Sequence, residues 1–340
     1  MAWYNTTAKA SDTVISTRVR LARNINGYHF ASRLDVSAAN EIIEKVSAPL
    51  ESSGFRKINF ADLSPVMATS YVERHYASPE FATKDAPHAL LLQEQSGIAV
   101  MVCEEDHLRI QCILPGLALE EAYRNAARTE KRLDEDFDFA YSEELGYLTH
   151  CPSNLGTGMR ASVMMFLPAL TRGGYMDSLS TQLSKIGLTM RGLFGEGSGA
   201  AGCMYQISNQ ITLGLTESEI LTKLAEAVRQ IIESEHKARN SISGDALDRL
   251  TDRILRSEGI LKHAYMLSSS EFIKLFADVR FGIALGIVQN ISYEQLGTLL
   301  VEVMPATLTL SSENTPKGES ARDKLRAQRV KNLLQNNPKA

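Results

Sequence analysis

The chain has 340 residues, and its 36 Lys and Arg against 40 Asp and Glu give a formal net charge of −4. Hydrophobic residues make up 44% and charged residues 22% of the sequence, which excludes a disordered, collagenous or disulfide-stapled chain and leaves room for about two globular domains. A near-neutral chain offers no general field for nucleic acid or an anionic membrane, so we predict neither as a partner and expect any anion site to be local.

Apolar runs and cysteines indicate the compartment. The longest apolar stretches fall well short of the roughly 18 residues of a membrane span, and residues 1–10 lack the apolar segment of a signal peptide. The four cysteines show no C-x-x-C pair; they are Cys103, Cys112, Cys151 and Cys203. We therefore predict a cytoplasmic protein without structural zinc or another protein-bound metal.

The first clear elements along the chain form a hairpin over residues 97–114. An apolar run is followed by an acidic turn and then by alternating polar and apolar residues, which predicts a half-exposed second strand. The alternation places His107, Arg109 and Gln111 together on one face of that strand.

Short apolar runs fill the middle of the chain. Residues 146–151 are typical of a short strand, and the run at 161–167 favours the start of a buried helix. Residues 188–194 and 203–213 predict two more strands, joined by a Gly-rich segment.

Helical periodicity takes over after residue 214. Thr216 and Glu219 form a capping-box pattern ahead of a long amphipathic helix, and residues 240–244 are typical of a linker. Beyond it, only helices are predicted, over residues 246–263, 268–288, 292–303 and 320–334. We interpret this part as a separate helical domain.

Arginines mark the segments that could carry chemistry. They are Arg18 and Arg20, Arg74 between Glu73 and His75, Arg109, Arg160 and Arg191. A guanidinium stays ionised and donates paired hydrogen bonds, so several converging arginines favour a polyphosphate ligand. The alternative for each one alone is a solvated surface residue. The common nucleotide motifs, a P-loop, a kinase H-R-D with D-F-G, or a Rossmann fingerprint, are not present in the sequence.

Two acidic sites accompany the arginines. One is the turn 104–106, and the other is Glu196 between two glycines. Each is open to the alternative of a solvated loop. Paired carboxylates can hold a guanidinium, orient one nitrogen and take its proton as that nitrogen attacks phosphorus.

Four segments together resemble the ATP:guanido phosphotransferase family in order and spacing. They are STRVRLARN at 16–24, EEDHLRIQ at 104–111, CPSNLGTGMRA at 151–161 and RGLFGEG at 191–197, and QISNQITL at 206–213 continues the match. The chain departs from creatine and arginine kinases because its first motif begins at residue 16, without their N-terminal helical domain, and because helices follow the catalytic part. Both departures match the bacterial branch of the family that phosphorylates arginine side chains of proteins. Cys103 is a smaller departure, since the family usually has Asn before the acidic run.

The resemblance implies an α+β fold with a large antiparallel sheet flanked by helices. The catalytic domain would span residues 1–242, and a helical C-terminal domain would span residues 243–340.

The resemblance also implies the site. ATP with Mg²⁺ would be held by phosphate-binding arginines and their neighbours, namely Ser16, Thr17, Arg18, Val19, Arg20, His75, Arg109, Arg160, Ala161, Ser162, Val163, Met164, Arg191, Gly192, Leu193, Phe194, Gly195 and Glu196. Glu105 and Glu196 would hold the substrate guanidinium, with Glu105 as the preferred base. Cys151 would line the substrate pocket.

A second motif lies near the C-terminus. Residues 322–327, RDKLRA, resemble a phosphoarginine-binding motif of the same bacterial branch. Arg322 and Arg326 lie four apart on one helical face and could converge on a phosphate, while Asp323 could meet the guanidinium of the same ligand. The alternative is a basic amphipathic helix.

The resemblance thus implies an ATP-dependent kinase for protein arginine side chains whose products go to a Clp-type protease. The implied partners are protein substrates, an activator protein, and a second copy in a homodimer. Two alternatives stay open: a kinase for free arginine or a related small guanidino compound, and a phosphoarginine-reading adaptor with little activity.

Overall fold

The structure is a computed structural model and describes residues 2–8, 10–192, 201–312, 316 and 318–335. The strands are β1 Val14–Arg23, β2 Arg56–Asn59, β3 Ala89–Gln93, β4 Ile98–Val102, β5 Leu108–Pro115, β6 Tyr141–Ser142, β7 Gly146–Tyr147, β8 Met159–Phe166, β9 Leu188–Gly192 and β10 Met204–Asn209. Over these residues, eight strands form one sheet in the order β2-β3-β4-β5-β1-β8-β10-β9. Every neighbouring pair in it is antiparallel, and β6 and β7 form a separate hairpin.

Helices flank the sheet, and further helices form the C-terminal region. They are α1 Val36–Glu51, α2 Pro65–Glu73, α3 Pro79–Ala82, α4 Leu119–Asp134, α5 Pro168–Arg172, α6 Met176–Lys185, α7 Glu217–Asn240, α8 Asp245–His263, α9 Ser269–Ala284, α10 Tyr293–Glu302, α11 Pro305–Leu310 and α12 Glu319–Gln335. Helices α1, α4 and α7 lie on one face of the sheet, and α2 and α3 lie on the other. The α+β prediction is confirmed. So is the capping box of α7, in which Thr216 and Glu219 satisfy each other's backbone N–H groups.

Strand alternation gives the sheet two different faces. On one face, the apolar side chains of β1 and β8, such as Val19 and Val163, pack in the main core with α1, α4 and α7. On the other face, Arg20 of β1 lies opposite Arg160 of β8 and Gln111 of β5. Since partners in register point the same way, polar side chains from three strands meet there.

Two predictions about the sheet are wrong. Residues 161–166 belong to β8 and are not the start of a helix. A central strand buried on both faces loses the alternation that would reveal it. The second hairpin strand is not half-exposed: Gln111 is 2% exposed, because its amide donates to the carbonyl oxygens of His75 and Tyr76. His107 lies just before β5 and is fully buried.

The helical C-terminal region packs against one end of the sheet. Phe166 and Met204 of the sheet share a hydrophobic cluster with Phe272 and Phe276 of α9. A boundary between residues 242 and 243 therefore stays a prediction, since the two parts have a core in common. Over the described ranges, no helix is long and apolar enough to cross a membrane.

Candidate active site

A cleft of about 920 Å³ lies between the polar face of the sheet and the segment of α2 and α3. Its floor carries Arg18, Arg20 and Arg109 from two adjacent strands, and His75 follows α2 at its side. The sheet thus brings together arginines that are up to 91 positions apart in the sequence, from 18 to 109.

Arg18 of β1 and Arg160 of β8 have neutral partners. Arg18 donates to the amide oxygen of Gln206 at 3.1 Å, and Arg160 donates to the hydroxyl of Ser208 at 3.0 Å. The buried Nε of Arg160 has no hydrogen-bond partner in the structure. Among the described residues, no carboxylate lies within ion-pair distance of Arg18, Arg20 or Arg160.

This crowding lowers the proton affinity of the guanidinium groups. Burial, together with repulsion from Arg109 and Arg160, lowers the pKa of Arg18 to about 10. The pKa of Arg20 also falls, for the same reasons, and that of Arg160 falls through burial and through repulsion from Arg191 and Arg109. A buried cluster of like charges is costly without a counter-ion, so the face is suited to an anion of high charge.

The acidic turn between β4 and β5 supplies carboxylates at the edge of the cleft. Arg109 bridges two of them, through Nη1 to Glu104 and through Nη2 to Glu105 at 3.6 Å. Glu104 is fixed further by the hydroxyl of Ser78 at 2.7 Å and by the backbone N–H of Glu105 at 2.8 Å. Glu105 is held less closely, and its side chain is 36% exposed.

The environment of Glu105 suits a base. Burial raises the pKa of its carboxyl, and nearby Asp106 and Glu104 act in the same direction, against the lowering effect of Arg109. A raised pKa brings a carboxylate closer to the range in which it accepts a proton effectively.

Residue 103 explains a feature of the turn. Cys103 has φ +60°, in the left-handed region that Asn adopts far more readily than other residues with a side chain. This gives a physical reason for the Asn usual in the family at that position. Lys84 supports the strained turn by donating to the carbonyl oxygens of Cys103 and Glu104 at 2.6 and 2.8 Å.

Asp106 connects the turn to the segment that carries Cys151. Its buried carboxylate accepts hydrogen bonds from the Asn24 amide and the backbone N–H of His150, both at 2.7 Å. The partly buried thiol of Cys151, one residue on, lies 3.0 Å from the hydroxyl of Ser153. The structure therefore holds Cys151 beside the acidic turn.

His75 enters the cleft from a tight turn. Its backbone has φ +64°, and its ring lies 5.2 Å from that of Trp3. Burial and the nearby Arg18 lower the pKa of His75 to about 4. Its imidazole is therefore neutral at physiological pH and does not add to the positive charge of the face.

The other residues predicted for the nucleotide divide between the two faces. Ser16, Ser162 and Met164 line a narrow recess beside Arg18 on the polar face. The side chains of Val19, Ala161 and Val163 lie in the main core, and the Thr17 hydroxyl donates to the carbonyl oxygen of Gly116. Arg191 and Gly192 end β9, where Arg191 pairs in register with Gln206. Leu193, Phe194, Gly195 and Glu196 lie outside the described residues.

Sequence reasoning missed several groups of the cleft. Ser78 and Lys84 hold the acidic turn, while Gln206 and Ser208 serve the arginines. The alternation of β10 was a usable signal for the last two. No local pattern marks Ser78 and Lys84, which act only through a contact across the fold.

The C-terminal motif has a different geometry. Arg326 is 1% exposed, and its guanidinium donates to Asp323 at 2.6 Å and to the carbonyl oxygens of Leu267 and Val303 at 2.8 and 2.9 Å. Arg322 lies on the same helix and is partly buried. In this arrangement Asp323 and Arg326 satisfy each other.

Comparisons with known proteins identify the family of the chain. Residues 38–238 match the family model of the ATP:guanido phosphotransferase C-terminal catalytic domain, and residues 247–340 match that of the protein-arginine kinase McsB C-terminal domain. A protein from Syntrophomonas wolfei named protein-arginine kinase is 41% identical over 98% of this chain and 95% of its own length. One of the same name from Clostridium acetobutylicum is 43% identical over 90% of this chain and 92% of its own length.

Solved structures show the same fold. The duplicated taurocyamine kinase from Schistosoma mansoni, with bound transition-state analogue components, superposes with a TM-score of 0.62 at 26% identity. The match covers 78% of this chain and 40% of that duplicated one, so the chain spans about two fifths of its length. A lombricine kinase superposes with a TM-score of 0.61 at 23% identity over 72% of each chain, which supports the fold alone.

Proposed function

Because this chain belongs to the ATP:guanido phosphotransferase family, we propose that it transfers the γ-phosphoryl group of ATP to arginine side chains of proteins. The observation that carries the proposal is that Arg18 and Arg20, which have no carboxylate within ion-pair distance among the described residues, share one cleft with Arg109 and with the acidic turn that Arg109 contacts. The choice of protein arginine rests on the relatives named protein-arginine kinase, which match along nearly the whole chain.

The arginine face fits a polyphosphate. Arg18, Arg20, Arg109 and Arg160 would neutralise the charge of ATP and of the group in transfer, a task that consists mainly of positioning and electrostatics. The unpartnered Nε of Arg160 is a donor ready for a phosphate oxygen. Arg191, at the end of β9, would close the cage from the side.

The acidic turn fits the guanidinium. Glu105 would hold the substrate arginine and accept a proton from the attacking nitrogen, with Glu196 as the second carboxylate. As the N–P bond forms, the bond from the γ-phosphorus to the ADP oxygen breaks. The proton on Glu105 later passes to solvent. A guanidinium with a pKa above about 12 is a poor nucleophile, so this polarisation supplies what the substrate lacks.

We propose Mg²⁺ as the metal that accompanies ATP. In proteins it usually binds through one or two carboxylates together with substrate phosphates and water. Glu104 and Glu105 line the same cleft, but Glu104 is paired with Arg109 and Glu105 is assigned to the guanidinium, so Mg²⁺ would be held mainly by the ATP phosphates and water. When bound, the metal would supply further charge neutralisation at the phosphates.

The cellular role is proposed from the family resemblance. A Clp-type protease would degrade the phosphorylated proteins, as part of protein quality control during stress. The kinase would act in the cytoplasm, as a homodimer and with an activator protein. The four cysteines, all free of disulfides, support a reducing compartment.

Phosphoarginine binding by Arg322, Asp323 and Arg326 stays a proposal. The ion pair between Asp323 and Arg326 occupies groups that a ligand would need. Binding at this motif would therefore require the pair to open, and its affinity would be reduced by the cost of opening.

The proposed activity has a direct test. The protein is incubated with Mg·ATP and an unstructured arginine-rich protein, in parallel with free arginine, and acid-labile phosphate is measured on each. Phosphate on the protein alone supports the proposal, and phosphate on free arginine alone would favour the small-molecule kinase. A substrate with every Arg changed to Lys is the matched control, and bound phosphoarginine without any transfer would favour the adaptor.

A further inference from the structure

The turn after α2 connects the C-terminal helices to the cleft. Glu73 is the last residue of α2, and His75, two positions later, lines the cleft. The Glu73 carboxylate accepts hydrogen bonds from the backbone N–H groups of Ala306 and Thr307 at 2.9 and 2.7 Å, and from the Thr307 hydroxyl at 2.7 Å. These contacts join residues more than 230 positions apart.

Glu73 replaces a cap that α11 does not have within its own sequence. The first N–H groups of a helix need acceptors from outside it, and Met304, at the N-cap of α11, offers no side-chain oxygen. A carboxylate there also complements the positive end of the helix dipole. The start of α11 and the end of α2 are thus fixed to each other by three hydrogen bonds to Glu73 and by a fourth between the hydroxyls of Ser70 and Thr307 at 3.1 Å.

A second connection reaches the same turn from the N-terminal segment. The indole N–H of Trp3 donates to the carbonyl oxygen of Arg74 at 3.1 Å, and Trp3 is 3% exposed. The next residue, Tyr4, lies against α10, where a Cβ on Gly297 would come within 2.0 Å of the Tyr4 carbonyl oxygen. The turn therefore contacts the C-terminal helices directly through Glu73 and indirectly through Trp3.

The sheet holds the turn from its other side. The Gln111 amide donates to the carbonyl oxygens of His75 and Tyr76 at 2.9 and 3.1 Å. Gln111 shares β5 with Arg109 of the cleft. A displacement of α11 would therefore act on a turn that is fixed on both sides and would shift His75 relative to the arginine face.

We propose that Glu73 is a positioning residue that couples the C-terminal helices to the ATP cleft by fixing the place of His75. The proposal rests on the proposed function, in which this cleft binds ATP. The coupling is reciprocal, so ATP in the cleft would also stabilise the contact between Glu73 and α11. It gives the C-terminal region a route to nucleotide affinity that needs no contact with the nucleotide.

The test is Glu73→Gln, which keeps the shape of the side chain and removes its charge. We expect the KM for ATP to rise by about 5-fold or more, the lower end of usual coupling strengths, while kcat changes by less than about twofold. Trp3 is the only tryptophan of the chain, so its fluorescence reports the turn directly. Quenching of that fluorescence by acrylamide should increase in the variant.

Three further variants separate positioning from general damage. Thr307→Val removes the hydrogen bonds of the hydroxyl to Glu73 and to Ser70 but keeps the two backbone hydrogen bonds to Glu73, so it should give the same changes more weakly. Thr307→Ser keeps the hydroxyl and should behave as wild type. Glu258→Gln is the matched control, because Glu258 pairs with Lys262 within α8. It should change neither KM nor quenching.

Wild-type KM for ATP and wild-type Trp3 quenching in both Glu73→Gln and Thr307→Val would overturn the proposal. If Glu73→Gln does not fold, the comparison of Thr307→Val with Thr307→Ser decides by the same two measurements, the KM for ATP and Trp3 quenching. If wild-type protein binds no ATP, the proposed function fails. The Trp3 measurement still tests the coupling of α11 to the turn: increased quenching in the variants supports it, and unchanged quenching refutes it.

Discussion

Arginine has two opposite uses in this molecule. On the polar face of the sheet, Arg18 and Arg160 meet only neutral oxygens of Gln206 and Ser208 and repel other guanidinium groups. In the helical region, Arg326 is more deeply buried, at 1% exposure, and is satisfied by Asp323 and two carbonyl oxygens. Burial alone does not separate the two uses, since the most deeply buried of these three arginines is the one with a carboxylate partner. An arginine with fixed partners stabilises the fold, and one without them is available to a ligand.

Strand β1 contains both kinds of arginine, one with a carboxylate partner and one without. Arg23 of β1 is 1% exposed, pairs with Glu130 of α4, and stacks 3.4 Å above the ring of Tyr147. It lies five positions from Arg18, within the same sequence motif. Membership of the motif therefore does not decide the role of an arginine.

The largest expected effect falls on a carboxylate at the edge of the arginine cleft. Glu105→Gln should lower phosphoryl transfer by about 10²- to 10⁴-fold, the usual contribution of a positioned base, and leave ATP binding nearly intact. Transfer is measured as acid-labile phosphate on protein, and ATP binding by calorimetry. Glu80→Gln, at the exposed rim of the cleft, is the control. Near-normal turnover in Glu105→Gln would show that Glu105 is not the base.

Arg326→Met tests the structural side of the comparison. It removes a buried partner of Asp323 and of two carbonyl oxygens, so the free energy of unfolding should fall by about 3 kcal/mol. Arg329 lies on α12 like Arg326, and Arg329→Met breaks an exposed ion pair with Glu302 of α10. This change should lower the free energy of unfolding by less than about 1 kcal/mol. Urea denaturation measures both. Equal stability of the two variants would place Arg326 with the ligand-binding arginines.

Arg160→Met tests the ligand-binding side. Loss of a phosphate donor should weaken ATP binding and the transition state by about 2 to 4 kcal/mol, whereas stability without ATP should not fall, because repulsion from Arg109 and Arg191 is relieved. Calorimetry with ATP and urea denaturation without it give the two values. Arg132→Met, at an exposed ion pair on α4, should change neither. A marked loss of stability in Arg160→Met would contradict the distinction between the two uses.

The sequence predicted the components of the site better than their roles. The alternation in β5 correctly placed Arg109 and Gln111 on one face, because a period of two is a local property. It did not show that Gln111 is covered by the turn at His75, which is a contact between distant segments. In the same way, the RDKLRA pattern located a helix correctly, but the partners of Arg326 come from loops 23 and 59 positions away.

The smallest effect concerns pH and the neutral imidazole of His75 beside the arginine face. Because burial and Arg18 lower the pKa of His75 to about 4, the folded protein holds this imidazole uncharged, while the unfolded chain binds a proton near the ordinary value of about 6.5. The contribution of His75 to stability is therefore fully present above pH 6.5 and declines as the pH falls towards 4. His75→Gln removes this titration, so the variant should lose less stability than wild type between pH 7.5 and 5. Urea midpoints at several pH values measure the difference, and His88 and His107, whose pKa values burial also lowers, contribute equally to both proteins. Parallel pH profiles would mean that His75 is protonated as easily in the folded chain as in the unfolded one. In that case neither burial nor the positive charge of Arg18 would lower its pKa.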